Sequence, residues 1–138
     1  MVETIKVRLL REPAPPSPDG STVRFGLQDK KGAMHEGVGR ADGLTQFDIE
    51  LSVVEAPDGS PDFGGPFVSG SRGARFVYLS WQRLDGGDFL NRIKVRLADI
   101  DWALIRAVRA SGGSLEVDLR GAAAGGGNRP VQWAVAQD

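Results

Sequence analysis

The sequence has no cysteine and only one histidine, His35, among its 138 residues. The absence of cysteine excludes disulfides, thiol nucleophiles, thiolate metal sites and iron–sulfur clusters, and a single histidine excludes a multi-histidine metal site. The D-x-D-x-D-G pattern of a calcium loop is missing as well. We therefore expect no bound metal and no cofactor.

A strong excess of charge of either sign is also missing, since the formal net charge is -1. Such a chain has no global field that would attract nucleic acid or an anionic membrane, so we expect neither partner. No apolar run is long enough to cross a bilayer, and the first ten residues alternate charged and apolar positions, unlike a signal peptide. We expect a cytoplasmic protein.

Glycine and proline, by contrast, are plentiful, with 19 and 8 residues respectively. Frequent turns and few helices follow, because both residue types interrupt regular structure. A chain of this length is expected to form one domain, residues 1–138, around one core.

Period-two alternation of apolar residues predicts about seven strands. They cover Thr4–Leu10, Val23–Leu27, Phe47–Val53, Arg75–Trp81, Leu90–Leu97, Leu115–Leu119 and a last strand around Val131, Trp133 and Val135. The Arg75–Trp81 segment is apolar at both alternating sets of positions, which favours a central strand covered on both faces. The proline-rich segment Arg11–Gly20 reads as an extended loop.

One helix is predicted over about residues 99–110, with Asp99 as the N-cap and Asp101 in the first turn. Gly112 and Gly113 supply its end. Its buried stripe is predicted to contain Ile100, Ala103, Leu104, Ala107 and Val108. Because strands and helices do not alternate, the predicted fold class is mainly β (α+β): an antiparallel β-sandwich or a partly closed barrel, with the helix over one opening or edge.

Arg92, Lys94 and Arg96 are the most suggestive group, because alternate cations on one strand project from one face about 7 Å apart. Two interpretations stay open. With Lys6, Arg8, Arg72 and Arg75 they would form an anion site. The simpler alternative is cross-strand pairing with acids that alternate in the same way, namely Asp48, Glu50, Glu116 and Asp118.

Other candidates are weaker. His35 has no serine nucleophile motif and only Glu36 and Asp42 as nearby carboxylates, so an exposed, solvated histidine is expected. The aromatic residues are expected to form the core more than a ligand cavity, with Tyr78 as the best polar anchor if a pocket exists. The glycine-rich loops Gly70–Gly73 and Gly121–Asn128 match no phosphate-binding motif. The candidate ligand-binding residues are Arg72, Arg75, Tyr78, Arg92, Lys94 and His35.

Several motifs occur together in order along nearly the whole chain. They are F-G-L-Q at 25–28, P-D-F-x-G-P-F-V-x-G at 61–70, R-F-V-Y at 75–78, R-I-K-V at 92–95, and L-E-V followed by a glycine-rich loop that ends at Asn128. In these motifs the chain resembles a family of small bacterial proteins known only as a domain of unknown function. The resemblance implies no catalytic residue.

The leading hypothesis is a binding module for a small ligand or a protein partner, because the usual catalytic constellations are absent. One alternative is an enzyme or accessory protein that acts on an anionic small molecule, with Tyr78 or His35 for proton transfer. Another is a homo-oligomeric interaction protein that associates through a sheet face or an edge strand.

Overall fold

The computed structural model describes residues 3–12, 23–83, 89–120 and 131–137. These residues form ten strands and one helix: β1 (Glu3–Arg11), β2 (Val23–Gln28), β3 (Met34–His35), β4 (Val38–Gly39), β5 (Thr45–Glu55), β6 (Pro61–Gly64), β7 (Phe76–Arg83), β8 (Phe89–Arg96), α1 (Trp102–Ser111), β9 (Ser114–Asp118) and β10 (Ala134–Ala136). The predicted loops at 13–22 and 121–130 lie outside the described residues.

The strands form two sheets. Sheet A has the order β10-β9-β1-β5, and β4 and β6 both pair with β5. Sheet B has the order β3-β2-β7-β8 and is antiparallel throughout. Neither sheet closes into a barrel over the described ranges. The predicted mainly β fold with one helix is confirmed, and the two open sheets fit a sandwich or a partly open barrel.

The core lies between the two inner faces. Val7, Leu9 and Leu51 of sheet A and Val77 and Leu79 of sheet B are all 0% exposed and belong to one apolar cluster. Burial of each such side chain contributes about 1.5–3 kcal/mol. Most residues next to them along the strands are exposed or half-buried, although Leu10 and Ser80 on the opposite faces are also buried. The period-two pattern therefore indicates which face of each strand turns inward.

The helix begins two residues later than predicted. Asp101 is the N-cap, because its carboxylate accepts a hydrogen bond from the Leu104 backbone N–H at 2.9 Å. Asp99 instead accepts from the Val131 backbone N–H at 3.2 Å. The helix ends at Gly112, whose φ of 72° is the left-handed conformation that favours glycine.

The buried stripe of the helix also differs from the prediction. Ile105 and Val108 are its buried residues and join the core, whereas Ala103 and Ala107 are exposed. The residue missing from the predicted stripe was Ile105. Because the helix starts at Trp102, its buried stripe is shorter than predicted. The stripe consists of the larger side chains, which bury more apolar surface than alanine does.

Two features of the sheets go beyond the seven predicted strands. The short strands β3, β4 and β6 raise the number of strands above seven, because segments of two to four residues are too short to show a period. In addition, β9 runs parallel to β1, from Val7 opposite Leu115 to Leu10 opposite Asp118. Residues 12–113, which include β2 to β8 and helix α1, separate the two strands, so the long connection that a parallel pair requires is present.

The Pro61–Trp81 segment joins the two sheets. Phe63 in β6 is buried in the core, and β7 lies between β2 and β8, as predicted for a central strand. Only one face of β7 is fully covered, because Phe76 and Tyr78 on the other face are half-buried. Gly70 has φ 90°, and a Cβ there would lie 2.5 Å from the Ala74 carbonyl oxygen, so the reversal before β7 requires glycine.

Candidate functional site

The outer face of sheet B carries the strongest grouping of polar side chains. Val77 and Leu79 face the core, so Phe76 and Tyr78, which alternate with them, face outward. On the neighbouring strand Ile93 and Val95 are buried and the three cations alternate with them. We call Phe76, Tyr78, Arg92, Lys94 and Arg96 the cationic–aromatic face.

Two of the three cations of this face, Arg92 and Lys94, lie on aromatic rings. The Lys94 ammonium is 4.2 Å from the centre of the Phe76 ring, and the Arg92 guanidinium carbon is 5.1 Å from the centre of the Tyr78 ring. The two rings meet edge to face with their centres 4.8 Å apart. Each such cation–π contact stabilises by about 0.5–1 kcal/mol at an exposed site and leaves the positive charge intact.

The register shows how this packing arises. Lys94 lies opposite Tyr78 but reaches diagonally to Phe76, and Arg92 lies opposite Ser80 but reaches diagonally to Tyr78. Diagonal neighbours on one sheet face are within reach of long and aromatic side chains. The alternation that was recognised in the sequence therefore places two cations above two rings.

Acidic residues are absent from the strands of sheet B. The four strands carry five cations and no Asp or Glu: Arg24, Arg83, Arg92, Lys94 and Arg96. Arg96 has a carboxylate partner beyond the end of β8, because Asp99 lies 3.7 Å from it. No ion pair with Lys94 occurs in the described part of the chain.

A hollow of about 270 Å³ opens at the end of this face. It is lined by Phe76, Lys94 and Arg96 and by Gly73 and Ala74 of the turn before β7. One wall is thus cationic, one is aromatic and one is main chain. The hollow is slightly smaller than typical small-ligand sites, whose volumes begin at about 300 Å³.

The acids that sequence reasoning offered as partners for these cations lie on sheet A instead. Arg8 lies 3.0 Å from Asp48 and 3.6 Å from Glu116, and the register places Lys6 opposite Glu50. A hollow of about 330 Å³ on this face is lined by both signs of charge. Cross-strand pairing therefore occurs, but with the cations of β1.

Arg75 and Arg72 do not join the cationic–aromatic face. Arg75 contacts both carboxylate oxygens of Asp62, at 3.0 and 3.4 Å, and donates to the Gly70 carbonyl. The hydrogen bond from Arg75 holds the pKa of Asp62 below its usual value of 3.8, against a smaller opposing effect of desolvation. Arg72 is exposed, and its charge also lowers the pKa of Asp58 and Asp62.

His35 lies on β3, at the opposite edge of sheet B from β8. Its side chain is exposed, and its Nε2 is 2.9 Å from Asp29, a residue that sequence reasoning did not connect with it. The ring also meets Phe67 edge to face with the centres 4.8 Å apart. The hydrogen bond with His35 is the largest of the effects that lower the pKa of Asp29, which also accepts from the Lys31 and Ala33 backbone N–H groups.

Arg11 was also missed as a packed residue. It was predicted to start a loop, but it is the last residue of β1, is only 8% exposed, and its guanidinium lies 5.3 Å from the Trp81 ring centre. The only available signal was its odd position, which it shares with Ile5, Val7 and Leu9. Among the described residues no group of three or more His, Asp or Glu side chains could hold a metal ion.

Comparison with protein families gives one match. The model of DUF5990, described as a family of unknown function, covers residues 4–136. The chain belongs to this family. The resemblance to a family of unknown function predicted from the motifs is thus confirmed, and DUF5990 membership assigns no activity to the face described above. Neither the curated proteins nor the solved structures gave a match. None of the described helical residues forms a helix long and apolar enough to span a membrane.

Proposed function

We propose that the protein is a binding module that takes an anionic ligand on the cationic–aromatic face. The observation that carries this proposal is the lack of acids on the strands of sheet B, combined with cations that lie on aromatic rings. Stacking orders a Lys or Arg side chain without neutralising it. Lys94 in particular is held on the Phe76 ring and makes no ion pair in the described part of the chain, so an incoming anion would not have to displace a described carboxylate from it.

The hollow beside Lys94 and Arg96 supports a ligand position at this end of the face. An anionic group between the two cations would have Phe76 as an apolar wall for an attached ring or chain. Hydrogen bonds from Lys94 and Arg96 to an anionic group would be charge-assisted, and such bonds are about twice as strong as those between neutral groups. The expected ligand thus has an anionic head and an apolar body.

We propose binding ahead of catalysis because, of the two candidate proton-transfer groups, only Tyr78 belongs to this face and His35 is far from it. His35 on β3 and Lys94 on β8 lie at opposite edges of sheet B. Three strand spacings separate them, or about 14 Å. A ligand held at Lys94 would not reach His35.

The test is an NMR titration of the ¹⁵N-labelled protein with phenyl phosphate and with inorganic phosphate. We expect amide shifts centred on β7 and β8, tighter binding of phenyl phosphate, and weakening at high salt because the contacts are ionic. Lys94→Gln should weaken binding by about tenfold, equivalent to about 1.4 kcal/mol.

The matched control is Lys6→Gln, which removes one cation from the outer face of sheet A instead. It should change the affinity less than twofold. Equal effects of the two substitutions, or shifts centred on sheet A, would contradict the proposal.

A further inference from the structure

The outer edge of β8 is available for strand pairing in the described part of the structure. One edge of β8 pairs with β7, and no described strand pairs with the other. An exposed strand edge presents a row of N–H and C=O groups that can pair with an added strand. What such an edge accepts depends on the side chains beside it.

The hydrogen-bond pattern identifies which residues of β8 turn their main chain outward. The Leu97 N–H donates to the Arg75 carbonyl of the neighbouring chain segment at 3.0 Å. The Phe76 N–H and C=O both bond Ser69, on the side away from β8, so Phe76 and Arg96 face each other without bonding. Because this alternation has a period of two, Lys94 and Arg92 share the orientation of Arg96.

The three residues that offer outward main-chain groups are thus the three cations of the cationic–aromatic face. An added strand would place its own alternate side chains directly opposite them on the same face. Side chains two residues apart on an extended peptide repeat at about 7 Å, the same spacing as the cations. Opposite charges at those positions would form three cross-strand pairs.

A second copy of the chain is a poor occupant of this edge. Edge-to-edge pairing of two β8 strands would bring Arg and Lys side chains against Arg and Lys, which is destabilising. Nucleic acid is also a poor fit, because the outer face of sheet A exposes Asp48, Glu50 and Asp118 and the net charge is -1. The favourable charge covers one strand, so it matches a short acidic segment.

We infer that the partner of this protein is an acidic protein segment that adds to the edge of β8 as an extended strand, with carboxylates at alternate positions opposite Arg92, Lys94 and Arg96. Main-chain hydrogen bonds would supply affinity and the alternating carboxylates specificity, as in other cases of strand addition. This inference rests on the proposed function and names the class of anionic ligand.

The test uses the full chain and three synthetic peptides of equal length and composition. The first alternates glutamate with valine or threonine, the second has its glutamates in one block, and the third repeats the first with N-methylated amides on the edge that pairs with β8. Affinity is measured by calorimetry. Hydrogen exchange is followed at the amides of Arg92, Lys94 and Arg96 by NMR.

We expect the alternating peptide to bind at least about tenfold more tightly than either control peptide and to slow exchange of those three amides at least about tenfold. Amides that are already slow in the free protein, or equal affinities for the three peptides, would overturn the inference. If an oligonucleotide binds more tightly than the alternating peptide, the partner class is wrong.

Failure of this inference is distinguishable from failure of the proposed function. One outcome is that phenyl phosphate binds at Lys94 while the alternating peptide binds no better than the peptide with its glutamates in one block. In that case the face is an anion site and strand addition is excluded. If neither binds, both proposals fall. Lys94→Gln and Lys6→Gln serve as the variant and its control in each titration.

Discussion

The outer faces of the two sheets use charge in different ways. Sheet A carries acids and bases on adjacent strands, and Arg8 alone reaches both Asp48 and Glu116. Sheet B carries five Arg or Lys residues and no acid on its strands. The cations of sheet A face carboxylates, whereas Arg92 and Lys94 lie on the rings of Tyr78 and Phe76.

In sheet A the charges stabilise the fold by pairing with each other, whereas in sheet B the cations can interact with a partner. Opposed charges on adjacent strands favour one register, because a slip by one residue would move them to the other face. A row of like charges favours no register, and the repulsion between the charges destabilises the sheet. Such a row is stable in sheet B because the rings below it bury the side-chain stems.

The aromatic rings are therefore the part of sheet B whose loss should have the largest effect. We expect Tyr78→Ala to lower the free energy of unfolding by about 1–2 kcal/mol, since it removes the ring contact with Phe76 and the support of Arg92. Urea denaturation measures the change. Tyr78→Phe keeps both contacts and is the control.

A loss as large in Tyr78→Phe would mean that the hydroxyl, and not the ring, holds the face together. An unchanged free energy of unfolding in Tyr78→Ala would mean that the cations of β8 do not depend on the rings. Either result would break the contrast between the two sheets.

The two faces were not equally predictable from the sequence. The alternation of Arg92, Lys94 and Arg96 was visible because period two identifies the residues on one face of a strand. What they contact was not visible, because the pairing of β8 with β7, and not with β1, depends on the order of strands in the sheets. The acids opposite Lys6 and Arg8 could be assigned to a face but not to a partner.

Other differences have equally local causes. Asp99 and Asp101 are both acceptable N-caps by residue type, and the hydrogen bond from Val131, 32 residues away in sequence, engages Asp99 elsewhere. The same limit hid the Asp29–His35 pair, which forms because the turn after β2 brings β3 back beside it. The seven longer strands could be predicted from the alternation of apolar residues in the sequence. The partner of each side chain could not, because it depends on a turn or on which strand lies next to it in the sheet.

The ion pair between Asp62 and Arg75 links β6 of sheet A to the segment that enters sheet B, and its loss should have the next largest effect. Asp62→Asn removes a two-point ion pair with partly exposed side chains, so we expect a loss of roughly 1 kcal/mol near pH 7. Arg75 then loses its carboxylate partner, whereas Lys94 makes no ion pair in the described part of the chain. Urea denaturation at a series of pH values measures the effect.

The sign of its pH dependence follows from the lowered pKa of Asp62. A carboxyl whose pKa is lower in the folded state contributes stability above its unfolded pKa and loses that contribution as the pH falls through the folded pKa. The difference between the wild type and Asp62→Asn should therefore shrink as the pH falls below about 4. A difference that grows in acid would contradict the assignment of this ion pair.

The smallest expected effect, but the most direct test of the difference between the two outer faces, is the salt dependence of stability. Arg8→Gln removes attraction to Asp48 and Glu116, so its cost of about 0.2–1 kcal/mol should be largest at low salt and decrease as salt screens the pairs. Lys94→Gln removes a cation from a row of cations and thereby relieves repulsion that is strongest at low salt. Its cost should increase with salt. Thermal unfolding of both variants at low and high ionic strength measures how the cost of each substitution changes with salt. If both costs change in the same direction, Lys94 has a carboxylate partner and the two sheets do not differ in their use of charge.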